Sequence, residues 1–269
     1  MDLSSYNRLP IKPWLQLGDM RGFQWNHVDL PIPNLPPALE GIRILHLADV
    51  HFNRKWTAAH DELVAKIEQE KADLILLTGD MLENKTYVLP DLPHVRRLAG
   101  HLTAPLGCFS ILGNHDGDLF GPHLRDTPIT LIDNDWRRLQ VGDAAIELIG
   151  LPGVHRDDLS PTVLAGFPAK SPGALRIVLA HFPDHVRKIA SLNADVMLAG
   201  HTHGGQVCLP GGVPIVRHDS LPRRYCKCIH RVNDLWLVVS RGFGFAGGVN
   251  VRLFCPAEVV VLTLRAAQA

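Results

Sequence analysis

An α/β fold is what the sequence predicts. Three observations point to it: short apolar runs ending in polar residues alternate with helical patterns, the second half is rich in strand candidates, and 269 residues suffice for one large domain. From Gly41 onward the order reads strand 42–47, helix 57–70, strand 74–77, helix 94–101, strand 109–112. The first helix sets Leu63, Val64 and Ile67 on one face, with Thr57 as its N-cap. Further strands are expected at 129–132, 145–148, 176–179, 196–198, 235–239 and 259–264, and a helix at 184–192 links two of them. Residues 1–40 differ. Pro10, Pro13, Pro31, Pro33, Pro36 and Pro37 are interleaved with Tyr6, Trp14, Phe23 and Trp25 at no helical period. This segment reads as a Pro-rich arm packed on a single domain of residues 41–269. Its aromatics suit a membrane interface poorly, because the prolines break the amphipathic helix that such contact uses.

Charge narrows the partners. Lysine and arginine number 27, aspartate and glutamate 27, so no basic excess favours nucleic acid or an anionic surface as the principal partner. The densest positive stretch, 217–231, reads as a solvated loop. No run approaches the ~18 apolar residues of a membrane span, and the N-terminus lacks a basic region followed by an apolar one. Five cysteines at irregular spacing fit a reduced compartment. A cytoplasmic protein is expected, with peripheral attachment to the inner membrane as the alternative. Cys226 and Cys228 lack the second C-x-x-C of a strong metal motif and read as two free thiols facing the same way on a strand.

Chemistry gathers at strand ends. Asp49 and His51 follow the first apolar run, Asp80 the second, and Asn114 with His115 the third. His181 follows 176–179, and His201 with His203 follows 196–198. In an open α/β sheet the carboxyl ends of the strands form one rim, so these residues are expected to converge. The i, i+2 spacing of Asp49 with His51, and of His201 with His203, puts each pair on one side of an extended backbone and within reach of one cluster. Singly, a His or Asp at a strand end is more often a turn or cap residue; five matches in series argue for metal. Two carboxylates, one amide oxygen and four imidazoles exceed a single tetrahedral zinc and suit two ions. Nitrogen and oxygen donors without thiolate fit Zn, Mn, Fe, Co or Ni.

The motifs Asp49-Val50-His51, Gly79-Asp80, Gly113-Asn114-His115-Asp116, Ala180-His181 and Gly200-His201-Thr202-His203 together resemble the motif set of the calcineurin-like metallophosphoesterases. The continuation Gly204-Gly205-Gln206, with Ser240-Arg241-Gly242 and Arg252-Leu253-Phe254-Cys255-Pro256, is similar to that family's bacterial YkuE/YaeI-like phosphodiesterase branch. The resemblance implies a four-layer αββα sandwich of two mixed β-sheets flanked by helices. It also implies a ligand set: Asp49, His51 and His203 on one divalent ion, Asn114, His181 and His201 on the other, and Asp80 bridging both.

Such an ion pair turns a shared water into hydroxide and clamps the oxygens around phosphorus, so no Ser or Cys nucleophile is needed. His115 is the candidate to protonate the leaving oxygen, with Asp116 orienting it or capping the turn. Asn53, Arg54 and Lys55 stand near the rim, where a cation meets a phosphate oxygen. The expected activity is metal-dependent hydrolysis of a small phosphoester, a phosphodiester or pyrophosphate by the branch resemblance, whose members include enzymes that cleave the lipid precursor UDP-diacylglucosamine. A non-catalytic metal-binding scaffold and a nuclease are the alternatives, the latter disfavoured by the neutral charge.

Overall fold

The computed structural model describes residues 1–7 and 12–267; Pro10 of the N-terminal segment lies outside them. Two six-stranded sheets pack face to face, and the composition of their central strands explains why. The strand Leu74–Leu77 is apolar at every position. Leu74 and Leu76 enter the core between the sheets, whereas Ile75 and Leu77 join a second core beneath the helices Ala58–Glu70 and Val88–Ala99. The strands Leu175–Ala180 and Val196–Ala199 do the same in the other sheet. Ile177, Leu179, Val196 and Leu198 point inward; Val178, Ala180, Met197 and Ala199 point to an outer cluster with Ile189 and Leu192. A strand covered on both faces is apolar along nearly its whole length; the exception is Arg176, buried and paired with Glu147 at 2.6 Å.

The first sheet runs Gln24–Ile32, Glu258–Ala266, Arg43–Leu47, Leu74–Leu77, Cys108–Ser110, Ile129–Leu131. Its pairs are parallel except that of Glu258–Ala266 with Arg43–Leu47. The second runs Cys228–Val232, Leu235–Val239, Val196–Ala199, Leu175–Ala180, Ala144–Gly150, Asp135–Val141, antiparallel at both edges and parallel within. Both sheets are therefore mixed; Arg43–Leu47, Leu74–Leu77 and Cys108–Ser110 of the first and Leu175–Ala180 and Val196–Ala199 of the second deliver their carboxyl ends to a common rim, whereas Gln24–Ile32 and Glu258–Ala266 run the opposite way.

Several elements depart from the sequence pattern. Gln24–Ile32 is an edge strand paired along its whole length with Glu258–Ala266, despite Pro31. An edge position tolerates proline, and Val28, Leu30 and Ile32 alternate into the inter-sheet core. The helix expected at 94–101 covers Val88–Ala99; Pro90 lies in its first turn, where a backbone N–H has no intrahelical partner to lose, and Pro93 is carried inside. The helix expected at 184–192 is instead two 3₁₀ turns, Pro183–Arg187 and Ile189–Leu192, closed by i to i+3 bonds such as Lys188 N–H to the His185 carbonyl at 2.8 Å. With the short helix Pro161–Ala165 they form the thin fourth layer. Cys226 and Cys228 do not share a strand: Cys226 ends the 3₁₀ turn Arg223–Cys226, and Cys228 opens the strand Cys228–Val232. Thr57 is the N-cap of its helix, its N–H donating to His60 Nδ1 at 3.0 Å. No helix among the described residues is long and apolar enough to cross a membrane.

Candidate metal centre

All seven strand-end side chains converge where the rims of the two sheets meet. Ligand atoms of Asp49, His51 and His203 lie within 4.8 Å of one another, as do those of Asp80, His181 and His201. Asn114 joins the second group, its Oδ1 2.9 Å from His181 Nε2. Asp80 Oδ2 connects the two, 3.2 Å from His181 Nε2 and 3.5 Å from His51 Nε2. The backbone that aims these groups is not the extended one that i, i+2 spacing implies. Asp49, His51, Asp80, His201 and His203 all have φ between 49° and 67°, a left-handed conformation that non-glycine residues adopt at about 1 kcal/mol or more each and that clusters at functional sites. The kink also sorts the side chains between the two groups. Asp49 and His51 stay together, but His201 and His203 part company, His203 joining Asp49 and His201 joining Asp80.

Hydrogen bonds fix which ring nitrogen of each histidine faces inward. His181 Nδ1 donates to the Thr78 carbonyl at 2.9 Å, leaving Nε2 to the cluster. His201 Nε2 donates to the His218 carbonyl at 2.9 Å, so Nδ1 faces His181 Nε2 at 3.2 Å. His51 turns Nδ1 towards Glu83 Oε2, 2.7 Å away, and Nε2 towards His203 Nε2 at 3.0 Å. Asp49 Oδ1 accepts the His201 N–H at 2.9 Å, whereas Asp49 Oδ2 is buried without a hydrogen-bond partner among the described residues. Ring nitrogens and carboxylate oxygens thus crowd together at contact distance in a largely buried site, an arrangement that positive charge between them stabilises. The donor set fits divalent cations.

Burial pushes the Asp49 carboxyl up to about 6, helped by the Asp80 charge and opposed by His181 and His51. Burial works against charge on His181 too, but the Asp80 and Asp49 carboxylates outweigh it and lift that imidazole to about 9. His201 and His203 are driven well below their ordinary value by burial and by neighbouring cationic histidines, which keeps them in the neutral form that a metal ligand needs.

Close approach at two glycines makes the cluster possible. A Cβ on Gly113 would sit 2.2 Å from Asp80 Oδ1, and one on Gly200 would sit 2.6 Å from Asp49 Oδ2. Asp116, fully buried, accepts backbone N–H groups of Asp80 at 2.8 Å, Gly113 at 2.9 Å and Leu82 at 3.0 Å; it anchors the two turns that carry Asp80 and Asn114. His115 donates its backbone N–H to Asp80 Oδ1 at 2.8 Å, and its Nδ1 lies 2.5 Å from the Glu83 carbonyl. Asn53, Arg54 and Lys55, all exposed, line a cavity of about 240 Å³ together with His51, Glu83 and Asn250.

Three residues of this neighbourhood have a part there that the sequence does not assign to them. Glu83 contacts His51, lies within ligand reach of His115, and accepts the Gly248 N–H at 3.0 Å; standing three positions beyond Asp80, it was within reach of the strand-end rule. Arg252 is fully buried, donates to the carbonyls of Gly244 at 2.6 Å and Arg241 at 2.8 Å, and brings Nη2 to 3.1 Å from His203 Nδ1. Arg156 stacks on Phe182, its guanidinium 4.5 Å from the ring centre, and donates to the His218 carbonyl at 3.0 Å. Arg252 opens the Arg252-Leu253-Phe254-Cys255-Pro256 motif of the branch resemblance, which assigns it no role, and no local pattern marks Arg156.

A family model described as calcineurin-like phosphoesterase matches residues 42–205. The chain is 32% identical over 238 residues to the phosphodiesterase YaeI of Escherichia coli, covering 82% of each protein. It is 28% identical to the metallophosphoesterase YkuE of Bacillus subtilis over 86% of this chain and 82% of the relative. With the UDP-2,3-diacylglucosamine pyrophosphatase LpxG of Chlamydia trachomatis it shares 27% identity over 66% of this chain and 69% of the relative. Among solved structures, the NAD nucleotidase of Haemophilus influenzae superposes with a TM-score of 0.52 at 16% identity, over 75% of this chain and 45% of that one, a likeness of fold alone.

Proposed function

The chain belongs to the calcineurin-like phosphoesterase family and is a phosphoric ester hydrolase; we propose that it cleaves a phosphodiester or pyrophosphate bond with two divalent ions held by the seven convergent side chains. In this reading Asp49, His51 and His203 hold one ion, Asn114, His181 and His201 hold the other, and Asp80 reaches both. The observation that carries it is the facing of ring nitrogens at 3.0 and 3.2 Å beside a buried carboxylate oxygen that has no partner among the described residues. When bound, the ions activate water for attack on phosphorus and neutralise charge on the phosphoryl oxygens. Donors of nitrogen and oxygen without thiolate suit Mn, Zn, Fe, Ni or Co.

The protein's own groups do the rest. His115, aimed by its contact with the Glu83 carbonyl, gives a proton to the leaving oxygen through Nε2. Asp116 positions Asp80 and the Asn114 turn. Asn53, Arg54 and Lys55 receive the phosphoryl or diphosphate oxygens at the cavity lip. The names of the two similar enzymes, a phosphodiesterase and a UDP-2,3-diacylglucosamine pyrophosphatase, support a small phosphoester substrate and make a nucleotide-linked lipid precursor the first to try.

The test combines metal analysis with a screen of monoester, diester and pyrophosphate substrates in Mn, Zn, Ni and Co. Two equivalents of metal and turnover of bis-p-nitrophenyl phosphate, both lost in Asp80→Ala, are expected. A protein that loads both ions yet turns over no phosphoester is a scaffold, and the proposal fails.

A further inference from the structure

Beside the metal centre runs a small β-ribbon, and in its first strand pair the polarity is inverted. The strand Leu15–Leu17 pairs antiparallel with Val251–Leu253, Leu15 opposite Leu253 and Leu17 opposite Val251. Leu253 bridges to Val207, and Cys208–Leu209 pairs with Val213–Pro214. Along these segments the buried residues are Gln16, Arg252, Cys208 and Pro214, and the alternate residues turned outward are apolar. Leu17 is 62% exposed and its equivalent on the neighbouring hairpin, Leu209, 53%. A strand with one face to water ordinarily shows the reverse pattern.

The inward polar groups have local work. Gln16 donates to the Met20 carbonyl at 2.9 Å and accepts the Ala257 N–H at 2.8 Å, while Arg252 ties the loop carbonyls beside His203. Among the described residues, no core cluster takes in Leu17 or Leu209. Trp14, 56% exposed, precedes the strand and packs on Phe254, and Ile215, 48% exposed, donates its N–H to the Val207 carbonyl beside Leu253. Contiguous exposed apolar surface of this kind marks a contact site.

Charge identifies the contact. Between Leu209 and Lys227 the one acidic residue is Asp219, whose side chain is turned inward with its Oδ2 3.7 Å from Arg156. Arg217, Arg223 and Arg224 are exposed on the same stretch. Exposed aliphatic side chains flanking a tight turn, followed by arginines with no exposed acid among them, match an anionic headgroup layer over an apolar interior.

We propose that this ribbon docks the protein on an anionic lipid bilayer, with Leu17, Leu209 and Val213 entering the acyl boundary and the three arginines meeting lipid phosphates. The ribbon is tied to the metal centre at both ends. His201 donates to the His218 carbonyl, and Glu83 accepts from Gly248 in the loop before Val251. Docking therefore brings the centre to the membrane surface. The surface assignment goes beyond the hydrolase reading and does not need it.

The test is co-sedimentation of the full chain with vesicles of phosphatidylcholine alone and of phosphatidylcholine mixed with phosphatidylglycerol. Binding to the mixed vesicles is expected. The double variant Leu209→Asp/Val213→Asp should weaken it at least about tenfold, and Arg223→Ala or Arg224→Ala about fivefold each, on mixed vesicles only. Circular dichroism and hydrolysis of a soluble diester show whether each variant is folded. Wild-type protein that stays in the supernatant, a double variant that sediments unchanged, or a solution dimer abolished by the same substitutions would each overturn the proposal. The last outcome would give the face to a second copy of the chain. Sedimentation is read without turnover, so loss of the hydrolase reading and loss of this one are separate results.

Discussion

The sharpest test of the metal centre is one methyl group. Asp49 is wedged between two glycine backbones: a Cβ on Gly200 would lie 2.6 Å from Asp49 Oδ2 and 3.0 Å from Oδ1, and one on Gly242 would lie 2.7 Å from the Asp49 Cβ. The carboxylate has no space behind it. In Gly200→Ala, Oδ2 must retreat by at least about 0.4 Å to reach the 3.0 Å that real Cβ contacts keep. Metal–ligand distances hold to about 0.2 Å, so the displaced oxygen and an ion at its proper distance exclude one another. The affinity of the Asp49, His51, His203 site should fall about 10- to 100-fold, the range for disturbing a ligand through its support. Overpacking in the fold itself costs about 1–3 kcal/mol, or about 2–10 °C in Tm for a chain of this size. Isothermal titration of the metal-free protein with Mn reads the first effect, and calorimetry the second. Gly100→Ala is the control: its Cβ would be 3.6 Å from the nearest atom, an ordinary contact, and the substitution should leave metal affinity unchanged. A Gly200→Ala protein that binds two equivalents with wild-type affinity would refute the placement of Asp49.

Three further outcomes follow from the same geometry. Glu83→Gln removes the carboxylate 2.7 Å from His51 Nδ1 and should weaken one metal site about 10- to 100-fold while the second keeps its affinity; equal loss at both sites would contradict it. Chelation should lower Tm by about 5–15 °C, since ions at 100 to 1,000 times their dissociation constant contribute about 3–4 kcal/mol, and a melting curve indifferent to EDTA would count against buried carboxylates needing cations. Burial holds His46 and His60 down at about 4, against 6.5 in a free imidazole. Below 6.5 the unfolded chain therefore binds protons that the folded one refuses. Stability should fall by about 2 kcal/mol for each of them between pH 7 and pH 5, and urea melts of His46→Gln should show a shallower slope over that window.

What the sequence discloses and what it hides have one physical source. Metal ligands stand at the ends of apolar strands because the rim of a parallel sheet is where backbone stops pairing and side chains become available. A strand covered on both faces is also the loudest pattern a sequence carries. Leu74–Leu77 and the position of Asp80 after it are therefore legible together. Gln24–Ile32 is quieter: half of it faces solvent, Pro31 interrupts it, and its partner Glu258–Ala266 is over 200 positions away, so only long-range pairing makes it a strand. The same holds at the site. His51 is legible, but Glu83, which orients it, works through a contact made in space, and Arg252 reaches His203 from 49 positions downstream. The inverted ribbon is the extreme case. Leu15, Gln16 and Leu17 alternate like any half-buried strand, and the pattern alone assigns the leucines to the core. That assignment reverses once Arg252, on the paired strand, is found to need the interior for the carbonyls it holds beside His203. A charged group required inside forces its apolar neighbours out, and the exposed leucines are then a consequence of the metal centre's own support.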